Sequence, residues 1–407
     1  MQDPRLPRSV VVVSVPRFGF ICARLRTVAV IASVSVAAMS AETNSYAFSP
    51  LRIGLTGDSI VEDGGVTSTS GLRAALRARM QRAGYDAAGW GYVPAHGSAL
   101  GIDPDGTVVA APWRYSGEWT FVGLPPFFDP ASPISHRVRS RFGADGHAAE
   151  TASPLARVTA RISGDRFAFL FVRGPDAGRF RVAVDGIGRT VDAHANTLDG
   201  GGIVWLTARR RGHGTHVITV TPLDGTLRFT GVLTERARPT SRPRLQVISL
   251  GQSCMCASDH FAPAQREALA ALKLDLTLIL FGTNDQAKLQ TSNDNTMRAA
   301  VIAGLRSRGE LARRHGGRCI IVPPAPNPRP PDIQREIRKL ERHAAADAGC
   351  RYAPVLARVW SATTSVGDGL TTDGIHPTPA GYRRMARALA SEIQSQPPLP
   401  ASVKRAG

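Results

Sequence analysis

The chain has 407 residues, more than one ordinary domain holds, so two domains are expected. Its 43% hydrophobic and 20% charged content is that of a globular protein and excludes a disordered chain. The net charge of +18 is nearly all arginine, since Lys273, Lys288, Lys339 and Lys404 are the only lysines. The arginines are scattered, with no basic stripe or binding module, which argues against nucleic acid and for a composition bias; attraction to an anionic envelope or polysaccharide is the functional alternative.

At the start, Arg17, Arg24 and Arg26 precede the apolar run 27–38, Asp3 is the only acid, and Val36-Ala37-Ala38 supplies small residues. This pattern reads residues 1–41 as a signal peptide, cleaved between 38 and 47, or as a signal anchor, and implies a secreted or periplasmic protein. The apolar run is short for a membrane span, and no later stretch is longer.

Residues 51–61 give a short apolar strand and a turn at Gly57-Asp58-Ser59, followed by an acidic loop, 62–65, expected to wall a cleft. Residues 71–83 form a helix, with Leu72, Leu76 and Met80 four apart and Gly84 ending it. Glycines and aromatics interrupt this pattern at 86–95, and 96–155 reads as long loops with a few short strands. Strands follow at 157–162, 167–173, 179–184, 203–207, 215–221 and 227–233, separated by turns such as Asp185-Gly186 and Asp224-Gly225; their spacing suggests a β-sandwich. A Pro-rich linker, 236–244, leads out. Strands at 245–250, 274–281, 319–322 and 351–355 then alternate with helices at 263–272, 293–314, 332–348 and 379–394. Repeated β–α units imply a mostly parallel sheet with helices on both faces, a three-layer α/β/α fold. The chain thus divides into the α/β domain's first part (48–95), an inserted β-sandwich domain (96–243), the α/β domain's second part (244–396) and a disordered tail (397–407).

Four strand ends or late loops carry polar residues: Gly57-Asp58-Ser59, Gly251-Gln252-Ser253, Gly282-Thr283-Asn284-Asp285 and Asp373-Gly374-Ile375-His376. Open α/β sheets bind ligands outside such strand ends. Ser59 is the candidate nucleophile. Asp373 and His376, three apart on a turn, can act as orienting acid and general base. The N–H groups of Ser59 and Gly251 and the side-chain amide of Asn284 are candidate oxyanion donors.

These four blocks, in this order, resemble the SGNH (GDSL-type) hydrolase family over roughly 51–85 and 245–395. The resemblance implies a flavodoxin-like fold, an acyl-serine intermediate, ester hydrolysis, and no metal or cofactor. The β-rich insertion, together with Gly89-Trp90-Gly91-Tyr92-Val93, is similar to SGNH esterases that remove O-acetyl groups from cell-wall polysaccharides. An acylated polysaccharide is therefore the implied substrate. An O-acetyltransferase using the same triad and a non-catalytic carbohydrate-binding envelope protein are the alternatives. The second block departs from the family pattern, which has small residues and a further Gly or Asn where this chain has Cys254-Met255-Cys256.

Other residues have plainer readings. Ser253 is a rival serine without the setting of a nucleophile, and Val61 breaks the Gly-x-Ser-x-Gly pattern of an α/β-hydrolase. Asp58 and Asp285 are expected to bond within their turns. Cys254, Cys256, Asp259 and His260 lack the paired spacing of a zinc site; a disulfide or buried free thiols are expected instead. Cys319 and Cys350 each open a predicted strand and are expected to bridge. His213 and His216 read as a solvated turn. Trp113, Tyr115, Trp119, Phe127 and Phe128 read mostly as core, with a sugar-stacking surface as the alternative.

Overall fold

A computed structural model describes residues 50–397 except 63–70, 97–100, 103–107, 111, 124–134, 138–141, 210–213, 237–240, 293, 315 and 362–365. The expected signal segment, residues 63–65 of the acidic loop, Phe127, Phe128, His213 and all of the tail but Pro397 lie outside the described residues.

β1 (Leu51–Gly57) leads to α1 (Leu72–Arg82) and the short β2 (Asp86–Ala87). A run of strands follows: β3 (Gly91–Pro94), β4 (Gly101–Ile102), β5 (Val108–Ala110), β6 (Trp113–Ser116), β7 (Thr120–Val122), β8 (Ser135–Arg137), β9 (Ala148–Thr151), β10 (Arg157–Ser163), β11 (Arg166–Arg173), β12 (Arg179–Val184), β13 (Ile187–Asp192), β14 (Asp199–Thr207), β15 (Thr215–Pro222) and β16 (Leu227–Glu235). Helices return with β17 (Arg244–Gly251), α2 (Pro263–Ala271), β18 (Leu276–Leu280), α3 (Thr283–Thr291), α4 (Asn295–Arg313), β19 (Arg318–Ile321), α5 (Pro331–Ala348), β20 (Arg351–Tyr352) and α6 (Pro379–Gln394).

Six strands pair in the order β2-β17-β1-β18-β19-β20, all parallel. A parallel sheet must be covered on both faces, and alternation along β18 achieves this. Leu276, Leu278 and Leu280 pack with Leu72 and Leu76 of α1 and Met385 and Leu389 of α6. Ile279 and Phe281 point the other way, onto Val301 and Leu305 of α4 and Ile337 of α5. This is the three-layer α/β/α fold expected from the sequence. The chain goes from β1 to one side of the sheet and returns to the other through β18, so the carboxyl end of β1 is a switch point where a cleft opens.

The remaining strands form two facing sheets, β13-β12-β15-β10-β6-β5-β4 and β14-β11-β16-β9-β7-β8, with β3 also on β16. Trp113, Tyr115, Phe167, Phe169, Phe180 and Phe229 fill the space between them. Trp113, Tyr115 and Trp119 are therefore core and not a stacking surface. The outer face of the second sheet is also buried: Ala168, Leu170 and Leu233 pack with Ile248 and Leu250 of β17 and Ala268 and Leu269 of α2. Gln246 on β17 donates to the carbonyls of Ala88 (2.9 Å) and Thr234 (2.6 Å), and Arg52 on β1 pairs with Glu235. The sandwich and the α/β layers thus share a core and polar bonds.

Several elements differ from the sequence reading. β13 has no predicted counterpart, because this exposed edge strand lacks the apolar alternation that marks a half-buried strand. The polar segment after β18, for which the sequence predicts no element, is the helix α3. The strand predicted over 351–355 stops at Tyr352, and a 3₁₀ turn, Val355–Arg358, follows Pro354. His216 is buried, with Nδ1 2.6 Å from Asp185, and is not part of a solvated turn. Cys319 and Cys350 form a disulfide, whereas Cys254 and Cys256 are free thiols.

At the sheet's carboxyl end, Gly57 of β1 and Gly251 of β17 are register partners. A methyl group on Gly57 would overlap Val61 and the carbonyl of Leu280; one on Gly251 would overlap the backbone of Val61 and Glu62. Both glycines are therefore needed for close approach. Gly57→Ala is expected to lower stability by about 1–3 kcal/mol, measured as a shift of the urea midpoint at unchanged slope.

Candidate active site

Residues 58–62 fold back over the ends of β1 and β17. The N–H groups of Val61 and Glu62 both donate to the Asp58 carbonyl (3.0 and 3.1 Å), and that of Ile60 to Asp58 Oδ1 (3.0 Å). The turn is tied to β17 and the loop after it. Ser249 Oγ donates to the Val61 carbonyl (2.6 Å), Gln252 N–H to the Gly57 carbonyl (3.0 Å), and Ser253 N–H to Glu62 Oε2 (2.7 Å). Ser253 Oγ also donates to Glu62. The rival serine is thus engaged by a carboxylate, whereas Ser59 Oγ lies 3.1 Å from His376 Nε2.

His376 reaches Ser59 from the loop before α6. Its Nδ1 is 2.7 Å from Asp373 Oδ2, while Asp373 Oδ1 accepts the N–H groups of Ile375 (2.9 Å) and His376 (2.7 Å). Partial burial pushes the Asp373 carboxyl up, but the bonds from the His376 N–H, its imidazole and the Ile375 N–H outweigh this and bring it down to about 2. The carboxylate is therefore ionised and fixes the tautomer: Nδ1 carries the proton and Nε2 accepts from the serine. The loop is braced by Thr372 N–H on the His376 carbonyl (2.9 Å) and by Thr378, which caps α6 by accepting from Gly381.

Asn284 lies in the first turn of α3, behind Gly282, whose left-handed φ of 112° turns the chain from β18 into the helix. One amide hydrogen of Asn284 goes to the Met255 carbonyl (3.0 Å), leaving the other to point elsewhere. Asp285 beside it accepts the N–H groups of Ala257 (2.6 Å) and Ser258 (3.0 Å), and Arg308 donates to the carbonyls of Ala257 and Asp259 (both 2.7 Å). The loop after β17 is thereby clamped between the Ser59 turn and α3. Cys254, at φ 62°, stands on it between Ser253 and Met255. Burial, then the charges of Glu62 and Asp58, push the Cys254 thiol up, and burial pushes Cys256 up to about 12, so both stay protonated and poorly nucleophilic.

Gly251 occupies a different place from the other site residues. Because the Gly57 carbonyl takes the N–H of Gln252, the parallel ladder turns the N–H of Gly251 toward the opposite edge of β17. Its contact with the Ser59 turn is steric, through the absent side chain.

An apolar cavity is lined by Ile60, next in sequence to Ser59, by Ile375 and Pro377, which flank His376, and by Leu280, Val322 and Met385. Trp360 forms one wall, pinned by its Nε1–H on the Pro326 carbonyl (2.9 Å). Sequence reasoning missed this cavity, because its residues come from five separate segments without a shared motif. It also missed Glu62 as the anchor of the loop after β17; its position three residues after the serine was the available signal.

Residues 206–384 match the family model of the GDSL-like lipase/acylhydrolase family. The matched stretch contains Gly251, Asn284, Asp373 and His376 and excludes Ser59. No curated protein matches. Among solved structures, a peptidoglycan O-acetylesterase is similar over 88% of this chain and 94% of its own, at 18% identity and a TM-score of 0.58. An acetylxylan esterase from Geobacillus stearothermophilus is similar over 38% of this chain and 74% of its own, at 20% identity and a TM-score of 0.32. A family two carbohydrate esterase from Clostridium thermocellum is similar over 61% and 94%, at 13% identity and a TM-score of 0.30. The first of these shows a shared fold.

Asp58 is fully buried under the serine, and burial, reinforced by Asp285, pushes its carboxyl up to about 7 against the hydrogen bonds from Ile60 and Thr283 and the charge of His376. From an ordinary value of 3.8 up to 7 the folded state holds a proton that the unfolded chain releases, so stability falls as pH rises through this window and stays lowered above it. Asp58→Asn keeps the oxygen that Ile60 needs and removes the titration. The stability of Asp58→Asn relative to wild type is expected to increase by up to roughly 4 kcal/mol between pH 4 and pH 8, read from denaturation midpoints at both pH values.

Proposed function

We propose that the chain is an SGNH/GDSL-type hydrolase acting on carboxylic ester bonds, and that it removes short O-acyl groups, acetyl foremost, from a polysaccharide through an acyl-serine intermediate. The observation that carries the mechanism is the hydrogen-bonded line Ser59–His376–Asp373, at 3.1 and 2.7 Å. In this reading His376 Nε2 takes the Ser59 proton as Oγ attacks the ester carbonyl, and Asp373 stabilises the imidazolium. His376 then returns the proton to the leaving sugar oxygen. A water, deprotonated by the same imidazole, releases the acid and restores Ser59.

The oxyanion is held by the Ser59 N–H, which the Asp58-centred bonds of the turn leave unused, and by the second amide hydrogen of Asn284. The first turn of α3 adds the positive end of a helix dipole on the same side. Gly251 supports this arrangement by letting the turn lie against β17.

Three further observations support the reading. The apolar cavity lined by Ile60 and Ile375, sequence neighbours of Ser59 and His376, and by Leu280, Val322 and Met385 suits a short uncharged acyl group. The Cys319–Cys350 disulfide suits an oxidising compartment, as does the signal read at residues 1–41. The peptidoglycan O-acetylesterase shares the fold over most of both chains. In the same reading, residues 48–95 and 244–396 form the hydrolase body, and 96–243 form an insertion that meets the polymer.

Ser59→Ala and His376→Ala are each expected to lower p-nitrophenyl acetate turnover by at least roughly 10³-fold with unchanged thermal stability, and Ser59→Ala to abolish labelling by a fluorophosphonate probe. Unchanged turnover in Ser59→Ala sinks the mechanism. In a series of p-nitrophenyl esters, kcat/KM is expected to fall by about tenfold or more from acetate to hexanoate, and Trp360→Ala to narrow that ratio. A wild-type optimum at hexanoate overturns the short-acyl assignment.

A further inference from the structure

One face of the sandwich is left open. The second sheet buries its outer face against β17 and α2, but the outer face of the first sheet, across β6, β10, β15 and β12, is exposed. Arg114, Arg157, Arg161, Arg179 and Arg181 point outward there, and the outward positions of these four strands hold no acid. Threonines separate the cations. Thr159 pairs with Arg114 on one side and Thr219 on the other, and Thr221 pairs with Arg181. Because Val158 pairs with Val220, Arg157 flanks the same Thr221 from the opposite strand, which puts the two arginines two strand spacings, about 10 Å, apart.

The contrast with the other sheet separates this face from the general arginine content. There Arg166 pairs with Glu235, Arg173 with Asp199, and Arg228 with both Glu150 and Asp176. On the open face Arg179 pairs with Asp224 at the edge, whereas Arg157, Arg161 and Arg181 form no ion pair among the described residues. We infer that this face binds an extended, carboxylate-bearing polysaccharide. Arginines about 10 Å apart match charges repeated along a polymer, and the intervening threonine hydroxyls can bond sugar hydroxyls. The outward positions of these strands carry no aromatic ring on which nucleic-acid bases would stack. The inference extends the polysaccharide reading by giving the polymer a charge, and it can fail while ester hydrolysis stands.

The test is titration calorimetry of the full chain at low salt with polygalacturonate, with amylose as an uncharged polymer and with phosphatidylglycerol vesicles. The expected result is salt-sensitive binding to polygalacturonate, none to amylose, and at least about tenfold weaker binding in the triple variant Arg157→Glu, Arg161→Glu, Arg181→Glu. The triple glutamine variant is expected to lie between this variant and wild type, and p-nitrophenyl acetate turnover to be unchanged in both. A charge-matched variant on the exposed side of α6, Arg383→Glu, Arg384→Glu, Arg387→Glu, is expected to bind nearly as wild type. Equal weakening in that variant, undiminished binding in the Arg157 set, no wild-type binding, or tighter binding to the vesicles overturns the inference.

Discussion

Everything in the site depends on how closely the turn carrying Ser59 can lie on the ends of two parallel strands. Gly57 and Gly251 stand side by side in register, and neither has room for a methyl group. With that contact made, Val61 and Glu62 meet the serines of β17 and its loop, the Asp58 carboxyl is sealed beneath, and Ser59 Oγ comes to the height of His376. A turn lifted by the thickness of one methyl would lose several of these bonds together, since each is a short contact to the same five residues. Two backbones in contact thus set the position of a side chain that neither glycine touches directly.

The same clamp holds the loop after β17. Glu62 holds Ser253, Asn284 holds Met255, Asp285 holds Ala257 and Ser258, and Arg308 gathers the carbonyls beyond. Asp285 lies fully buried beside this loop, Asp58 is buried under the serine, and Glu341 is buried under Gly282. Burial, followed by the nearby Asp285, drives the Glu341 carboxyl well above the usual range. A protonated Glu341, and Asp58 below its raised value, would spare the oxyanion of the proposed mechanism the repulsion that ionised carboxylates exert. Burial of these two carboxyls costs folding stability and, in that mechanism, keeps negative charge away from the place where negative charge would develop.

Much of this was legible in the sequence, for reasons that can be named. Strands such as 157–162 and 179–184 alternate because one face meets the core between the two sheets, and Asp373 and His376 announce themselves because a three-residue spacing on a turn makes a hydrogen bond by itself. What sequence could not carry depends on contacts between distant segments. β13 is an edge strand without a buried stripe, α3 starts with Thr-Asn-Asp, which suits a turn as well as a helix, and the apolar cavity draws single residues from many places. The N–H direction of Gly251 follows from strand register, which one strand's sequence does not encode. Likewise, the buried outer face of the second sheet reads locally as an ordinary apolar strand surface; only assembly shows that α2 covers it.

The order of the chain has a consequence in time. The hydrogen bond between Ser59 and His376 joins residues 317 apart, and nearly all the sandwich lies between them. Closing so large a loop is entropically slow, and contacts of such separation form late in folding. Between them β11 pairs with β14 on one side and β16 on the other, which brings the ends of the insertion together where β17 lies against β1. In synthesis the serine emerges 317 residues before the imidazole. The hydrogen-bonded line Ser59–His376–Asp373 is therefore incomplete until α6 docks on α1, and in the proposed mechanism a chain truncated before residue 376 would have a nucleophile without a base.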